Sequence, residues 1–212
     1  MWGTRELHLD WSVHNEDYYA KAFSGLITSW RHYWGNDQLP FYFVQLPNYS
    51  CPAHEHWPEM REIQRETLRL PKTGMAIIVD VGDANDLHHK NKKSVGERLA
   101  RITLVSDYGQ KMESTGPMIR TAKIAQGKPR LEFDHAGNLK TTDGQPPLGF
   151  EVADVSGVFK SATATIIDGG IVLECAEVPA PKTVRYAWAY NPSVDLVNGD
   201  GLRALPFKID IP

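Results

Sequence analysis

Cysteine is scarce in this chain of 212 residues: Cys51 and Cys175 are its two, so at most one bridge can form and no redox compartment is defined. No apolar run approaches the roughly 20 residues needed to cross a bilayer. The start, MWGTRELHLDW, lacks the apolar core of a secretory signal, so the chain as it stands reads as unexported. Basic charge is not concentrated either. The net charge is -3, and the nearest thing to a basic run, Lys90 to Lys93, is broken by Asn91 and reads as a solvated first helical turn. A dedicated nucleic-acid surface and a membrane segment are both argued against. Internal repeats, low-complexity stretches and a Gly-x-Ser-x-Gly elbow are absent, so neither Ser12 nor Ser50 reads as a nucleophile.

What is present is an ordinary globular composition, 42% hydrophobic and 23% charged. The chain is organised around Met75 to Ile102. Met75 to Val79 is a continuous apolar run, which predicts a strand covered on both faces, as in a parallel α/β sheet. A polar loop with Asp83, Asp86, His88 and His89 follows, and then a helix from about Asn91 to Ser106 with Val95, Leu99 and Ile102 inward. In open sheets of this kind chemistry collects beyond the carboxyl ends of the strands, where these four residues fall. Upstream, Asn15 to Trp34 has Tyr19, Phe23, Leu26, Ile27, Trp30 and Trp34 at helical spacing, with Glu16 and Asp17 against the helix dipole. Phe41 to Leu46 predicts a short strand. Pro58 opens a second helix with Met60, Ile63, Thr67 and Leu70 inward, closed by Pro71.

Strand, helix, strand, helix in this order implies parallel strands joined by a right-handed crossover. Two such strands cannot cover three helices, and their open edges would invite self-association. After Gly109 the pattern changes to short strands: 118–125, 130–133, 149–153, 158–167, 171–176 and 183–189, with turns at Gln126-Gly127, Asp143-Gly144 and Asp168-Gly169. The expectation is an α/β region over 1–108 followed by an antiparallel β-sandwich-like region over 109–212.

FYFVQLPNYS, LPKTGMAIIVDVGDANDLHHKNKKSVGERLA, LEFDHAG and RYAWAYNPSVDLVNGDGLRALPFKID together resemble the sialate O-acetylesterase family, carbohydrate esterases of the SGNH-hydrolase kind. The resemblance runs from about Val13 to the C-terminus. It implies the C-terminal portion of a flavodoxin-like catalytic domain, followed by the β region. The implied reaction is hydrolysis of O-acetyl esters on sialic acid or related sugars, with an O-acetylated sugar as partner and no cofactor or metal. It also implies a secreted, periplasmic or lysosomal setting.

Carried over by position, the family's Ile-His-Pro, basic, Asn-Lys pattern falls on Leu87-His88-His89-Lys90-Asn91-Lys92, which makes His88 the catalytic base. The orienting acid is Asp86, with Asp83 second; a Ser–His pair assisted by a backbone carbonyl is the alternative. The acid three residues before the His, common in SGNH enzymes, is Asn85 here, and His89 stands where proline is usual. The family's Gly-Gln-Ser-Asn block has no counterpart, and before Val13 only Ser12 could answer to the Asn of its Gly-Glu-Ser-Asn block. The expectation is therefore an esterase lacking its nucleophile-bearing half, of little or no activity alone; the alternative is a non-catalytic glycan- or protein-binding remnant. His54 and His56 could join His88 and His89 around zinc only with a further well-spaced ligand group, which the sequence does not offer. His135 and Trp188 read as packing and turn residues.

Overall fold

The computed structural model describes residues 15–50 and 56–212. Helix α1 (Asn15–Tyr33) leads to strand β1 (Phe41–Val44), helix α2 (Trp57–Thr67), strand β2 (Thr73–Ala76) and helix α3 (Lys92–Ser106). β1 and β2 pair in parallel, Phe41 opposite Thr73 through Val44 opposite Ala76. The expected strand over 75–79 is thus shifted: its ladder starts at Thr73 and stops at Ala76. The partner runs out first. Gln45 donates its N–H to the Ala76 carbonyl at 3.0 Å, and two residues later Pro47, with no N–H to give, takes the chain out of the sheet. Ile77, Ile78 and Val79 continue as buried chain outside the ladder.

α2 carries Pro58 in its first turn and buries Trp57, Met60, Ile63 and Thr67, as its 3–4 spacing dictates. α3 is capped as its sequence asks, Asn91 Oδ1 accepting the Ser94 N–H at 3.2 Å. Only Ile102 of its apolar face is fully buried; Val95 and Leu99 are half-buried. α1 departs further from expectation. Tyr19 and Ile27 are buried, but Leu26, Trp30 and Trp34 are exposed, 53% in the case of Trp30. Among the described residues β1 and β2 pair only with each other, and a sheet two strands wide cannot cover every apolar side chain of α1.

Residues 118–212 build two four-stranded antiparallel sheets. One has the order β3 (Met118–Ala125), β4 (Lys128–Asp134), β9 (Gly170–Glu174), β8 (Thr163–Ile167); the other has the order β12 (Phe207–Asp210), β10 (Thr183–Tyr186), β6 (Phe150–Ala153), β7 (Lys160–Ser161). A two-stranded ladder pairs β5 (Lys140–Thr141) with β11 (Leu196–Val197). Leu131, Phe133, Ile171 and Leu173 of the first sheet share one core with Phe150, Val152, Val184, Tyr186 and Phe207 of the second. The β3–β4 and β8–β9 hairpins turn at Gln126-Gly127 and Asp168-Gly169, where all four residues have positive φ, as primed turns require. Asp143-Gly144 is no such hairpin, since β5 pairs with β11. The expected strand 158–167 is two, β7 and β8, and they lie in different sheets.

Phe43, Met75, Ile77 and Val79 of the parallel region pack with Leu205, and with Phe23, Met118 and Val194 at the edges. The segment between β11 and β12 therefore runs under the two-stranded sheet, its Leu205 N–H bonded to the Pro117 carbonyl at 3.0 Å. Among the described residues no helix is long and apolar enough to cross a membrane.

Candidate active site

Asp80 follows the buried Ile77–Val79 segment and is gripped from two directions. Arg98 of α3 meets both carboxylate oxygens, at 2.5 and 2.8 Å, and Arg203, from the segment after β11, reaches Oδ2 at 3.4 Å. Arg98 also donates to the Ile77 carbonyl. Burial would raise the Asp80 carboxyl, but the hydrogen bonds and charge of Arg98, with the charge of Arg203, outweigh it and hold the group below the usual carboxylate range. The start of the Asp/His loop is thereby pinned to α3 and to the β region at once.

The loop itself is held by main-chain contacts. Gly82 donates its N–H to Asn48 Oδ1 at 2.8 Å, and Ser50 donates its N–H to the Ala84 carbonyl at 2.8 Å. A Cβ at Gly82 would lie 2.5 Å from Asn48 Oδ1 and 2.6 Å from the Asn48 carbonyl oxygen, so the approach needs glycine. Asp83 Oδ1 accepts the Asn85 N–H at 2.9 Å, and Asp86 Oδ1 accepts the His88 main-chain N–H at 2.8 Å. These are consecutive Asx turns. What Asp86 holds is the peptide of His88.

Leu87 drops into the cluster of Tyr19, Leu46, Trp57, Met60 and Ile63, and its anchoring fixes the alternation that follows. His88 points out and is exposed; His89 points in and is 5% exposed. Neither ring nitrogen of His89 has a hydrogen-bond partner among the described residues. Burial, with the charge of Lys92 second, lowers the His89 pKa from its ordinary 6.5. A buried imidazole of lowered pKa resists a proton that the unfolded chain accepts, so stability falls as the pH drops below 6.5 towards the folded value. Urea midpoints measured from pH 7.5 to 5 should decline in this chain and decline less in His89→Phe. Parallel curves would remove His89 as the cause.

The wall beside the loop is built by Arg61. It is fully buried on α2 and donates to four carbonyls: Leu46 at 3.1 Å, Pro47 at 2.6 Å, Ala189 at 2.7 Å and Tyr190 at 2.8 Å. Burial pushes its pKa down to about 9, which leaves it charged at pH 7. Trp57 Nε1 adds a bond to the Pro47 carbonyl at 2.7 Å, and Gln64 Oε1 accepts the Leu46 N–H at 2.9 Å. Asn48 Nδ2 then reaches Asn191 Oδ1 at 2.8 Å. The loop after β1, the Asp/His loop and the 189–191 segment are one hydrogen-bonded unit.

With this geometry in view, comparison with solved structures finds a carbohydrate acetylesterase from Xanthomonas citri at 36% identity and a TM-score of 0.86 over 91% of this chain. The chain is related to a carbohydrate esterase. It spans about half the length of that esterase, 46% of the solved chain. No family profile and no curated protein matches it.

Asp83, Asp86, His88 and His89 do share one loop beside the end of β2, but Asp80, Arg61 and Asn48 were not singled out from sequence. The one signal in the sequence was an arginine at helical spacing between Trp57 and Gln64, beside the apolar Met60 and Ile63, and only the structure shows that it is fully buried. Ser12, Cys51 and His54 lie outside the described residues. His56 stands 3.5 Å from Glu16, and Ser50 is exposed at the foot of the loop. Cys175 is a free thiol, and no group of three His, Cys, Asp or Glu among the described residues could hold a metal ion.

Proposed function

We propose that the chain is the acid/base portion of a carbohydrate O-acetylesterase acting on acetylated sialic acid or related sugars. In this reading 1–108 is part of an SGNH-type catalytic domain and 109–212 is its β-rich companion. The observation that carries it is the loop of residues 80–91: it stands beyond a parallel strand, presents His88 to solvent, and belongs to a chain 36% identical to a carbohydrate acetylesterase. His88 takes the proton of an attacking serine hydroxyl and returns it to the departing sugar oxygen. Asp86 positions His88, and Asp83, one turn earlier, is the second candidate for the acid.

The attacking hydroxyl and the oxyanion donors come, on this proposal, from sequence matching the remainder of the Xanthomonas citri chain. The surface that would receive it is the outer edge of β1 with the exposed Leu26 and Trp30 of α1 and Trp34 just after it. The same surface would otherwise drive self-association.

The test is a chimera in which this chain replaces the matching part of the Xanthomonas citri esterase, assayed by NMR for acetate released from 9-O-acetylated N-acetylneuraminic acid and from acetylated neutral oligosaccharides. Release by the chimera, with much less from the chain alone, is the expected result. A folded chimera that releases acetate from neither class would end the esterase reading and favour a non-catalytic glycan-binding role.

A further inference from the structure

The β region carries a groove that the proposed esterase chemistry does not use. It has a volume of about 560 Å³, within the range of roughly 300–1,000 Å³ usual for small-ligand sites. β6, β10, the end of β7 and the start of β8 form its floor, and the segments 146–149 and 187–193 form its rim. Its lining is of two kinds. Trp188, Leu148 and the prolines at 146, 147 and 192 offer flat apolar surface, while Arg185, Glu151 and the hydroxyls of Ser161, Thr163 and Ser193 offer donors and acceptors.

The polar centre is held in place before any ligand arrives. Arg185 Nε donates to Glu151 Oε2 at 2.8 Å, and its guanidinium carbon lies 3.8 Å from the centroid of the Phe159 ring. Both charged side chains are mostly shielded, at 22% and 28% exposure. The rim is built at some backbone cost. Ala187 has φ +54, a left-handed conformation uncommon for a residue with a Cβ, and it turns the chain immediately before Trp188. Its N–H bonds to the carbonyl of Gly149, itself at φ +81, on the facing rim at 2.9 Å.

From this lining we infer that the groove binds a neutral oligosaccharide. Sugar rings present apolar C–H faces bordered by hydroxyls, which is the complement of a Trp and proline wall beside charged hydrogen-bonding groups. The lining's two charges, Arg185 and Glu151, cancel within their pair, so no free cation is left for a carboxylate-bearing sugar. The site stands on its own lining and goes beyond the reading of the Asp/His loop. It is joined to that loop through the 189–191 segment that Arg61 and Asn48 hold.

The experiment titrates the 212-residue chain with cellotetraose, xylotetraose and mannotetraose, and with 3′-sialyllactose as the anionic control. Binding is followed by the indole N–H signal of Trp188, assigned by its loss in Trp188→Phe. At about 10 mM sugar, ten times a millimolar dissociation constant, at least one neutral tetrasaccharide should shift that signal. In Trp188→Ala and in Arg185→Lys the Kd, read by calorimetry, should rise at least tenfold while circular dichroism stays unchanged. The Lys variant guards against misfolding, since it keeps the charge and the stem but loses the fork. Absence of a shift with all three neutral sugars would overturn the assignment. So would equal affinity in both folded variants, or tighter binding of sialyllactose. His88→Ala should bind the sugar as the parent does; a chimera that fails to release acetate while this binding persists condemns the esterase reading alone.

Discussion

Arg61→Met should cost about 3–5 kcal/mol of stability, the largest effect expected of any single side chain outside the apolar core. The guanidinium satisfies four carbonyls at 2.6–3.1 Å, and the Leu46 and Pro47 bonds are buried. Methionine fills the volume and supplies no donor. Each buried acceptor left without a partner costs on the order of 1–3 kcal/mol. The sum falls short of four such penalties because the Pro47 and Tyr190 carbonyls keep the Trp57 Nε1 and Tyr49 N–H donors, and because the Ala189 and Tyr190 bonds are only part-buried, where water can replace a lost donor. With a urea slope of about 2 kcal/mol/M the midpoint should fall by about 1.5–2.5 M. Arg61→Lys should recover only a minor part, since a point-like ammonium with three donors cannot reach four oxygens spread around a planar fork. A loss below about 1 kcal/mol for the Met variant would show that the carbonyls are already hydrated, and that Arg61 decorates the wall without holding it.

Arg61 also marks where reading from sequence runs out. The local features were legible because they are local. The start of α3 near Asn91 and the turns at Gln126-Gly127 and Asp168-Gly169 that close hairpins each depend on a few adjacent residues. The parallel pairing of β1 with β2 followed from the helix between them. What could not be read depends on partners far along the chain. Asp80 meets Arg98 and Arg203, and Arg61 meets carbonyls 128 and 129 residues away. β12 was missed because Phe207–Asp210 is four residues behind a proline, too short for period 2 to register, yet its pairing with β10 fixes it. The exposed aromatics of α1 are the opposite case: their spacing announces a buried face, while burial needs a covering layer that a two-stranded sheet does not supply.

At the Asp/His loop the residue types were legible and their geometry was not, and that geometry separates the roles of His88 and Asp86. In the chimera described above, His88→Ala should lower acetate release by about 10³-fold or more, the usual penalty for removing the base of an acyl-transfer pair. His89→Phe should leave the rate within about threefold, because a buried ring without polar partners has no proton to exchange with substrate. Asp86 gives the sharper discrimination. Its Oδ1 accepts the His88 N–H at 2.8 Å, and an amide oxygen can accept the same bond. If Asp86 acts by fixing the peptide, Asp86→Asn should retain activity within about tenfold while Asp86→Ala falls further. If instead its carboxylate orients the imidazole and stabilises the imidazolium, Asn should cost about 10⁴-fold, as an amide does when it replaces the acid of a triad. The contact of Asp86 with the peptide favours the first result. Should His88→Ala retain the parental rate in a chimera whose activity is otherwise intact, the proton is moved by some other group, and the loop is scaffold.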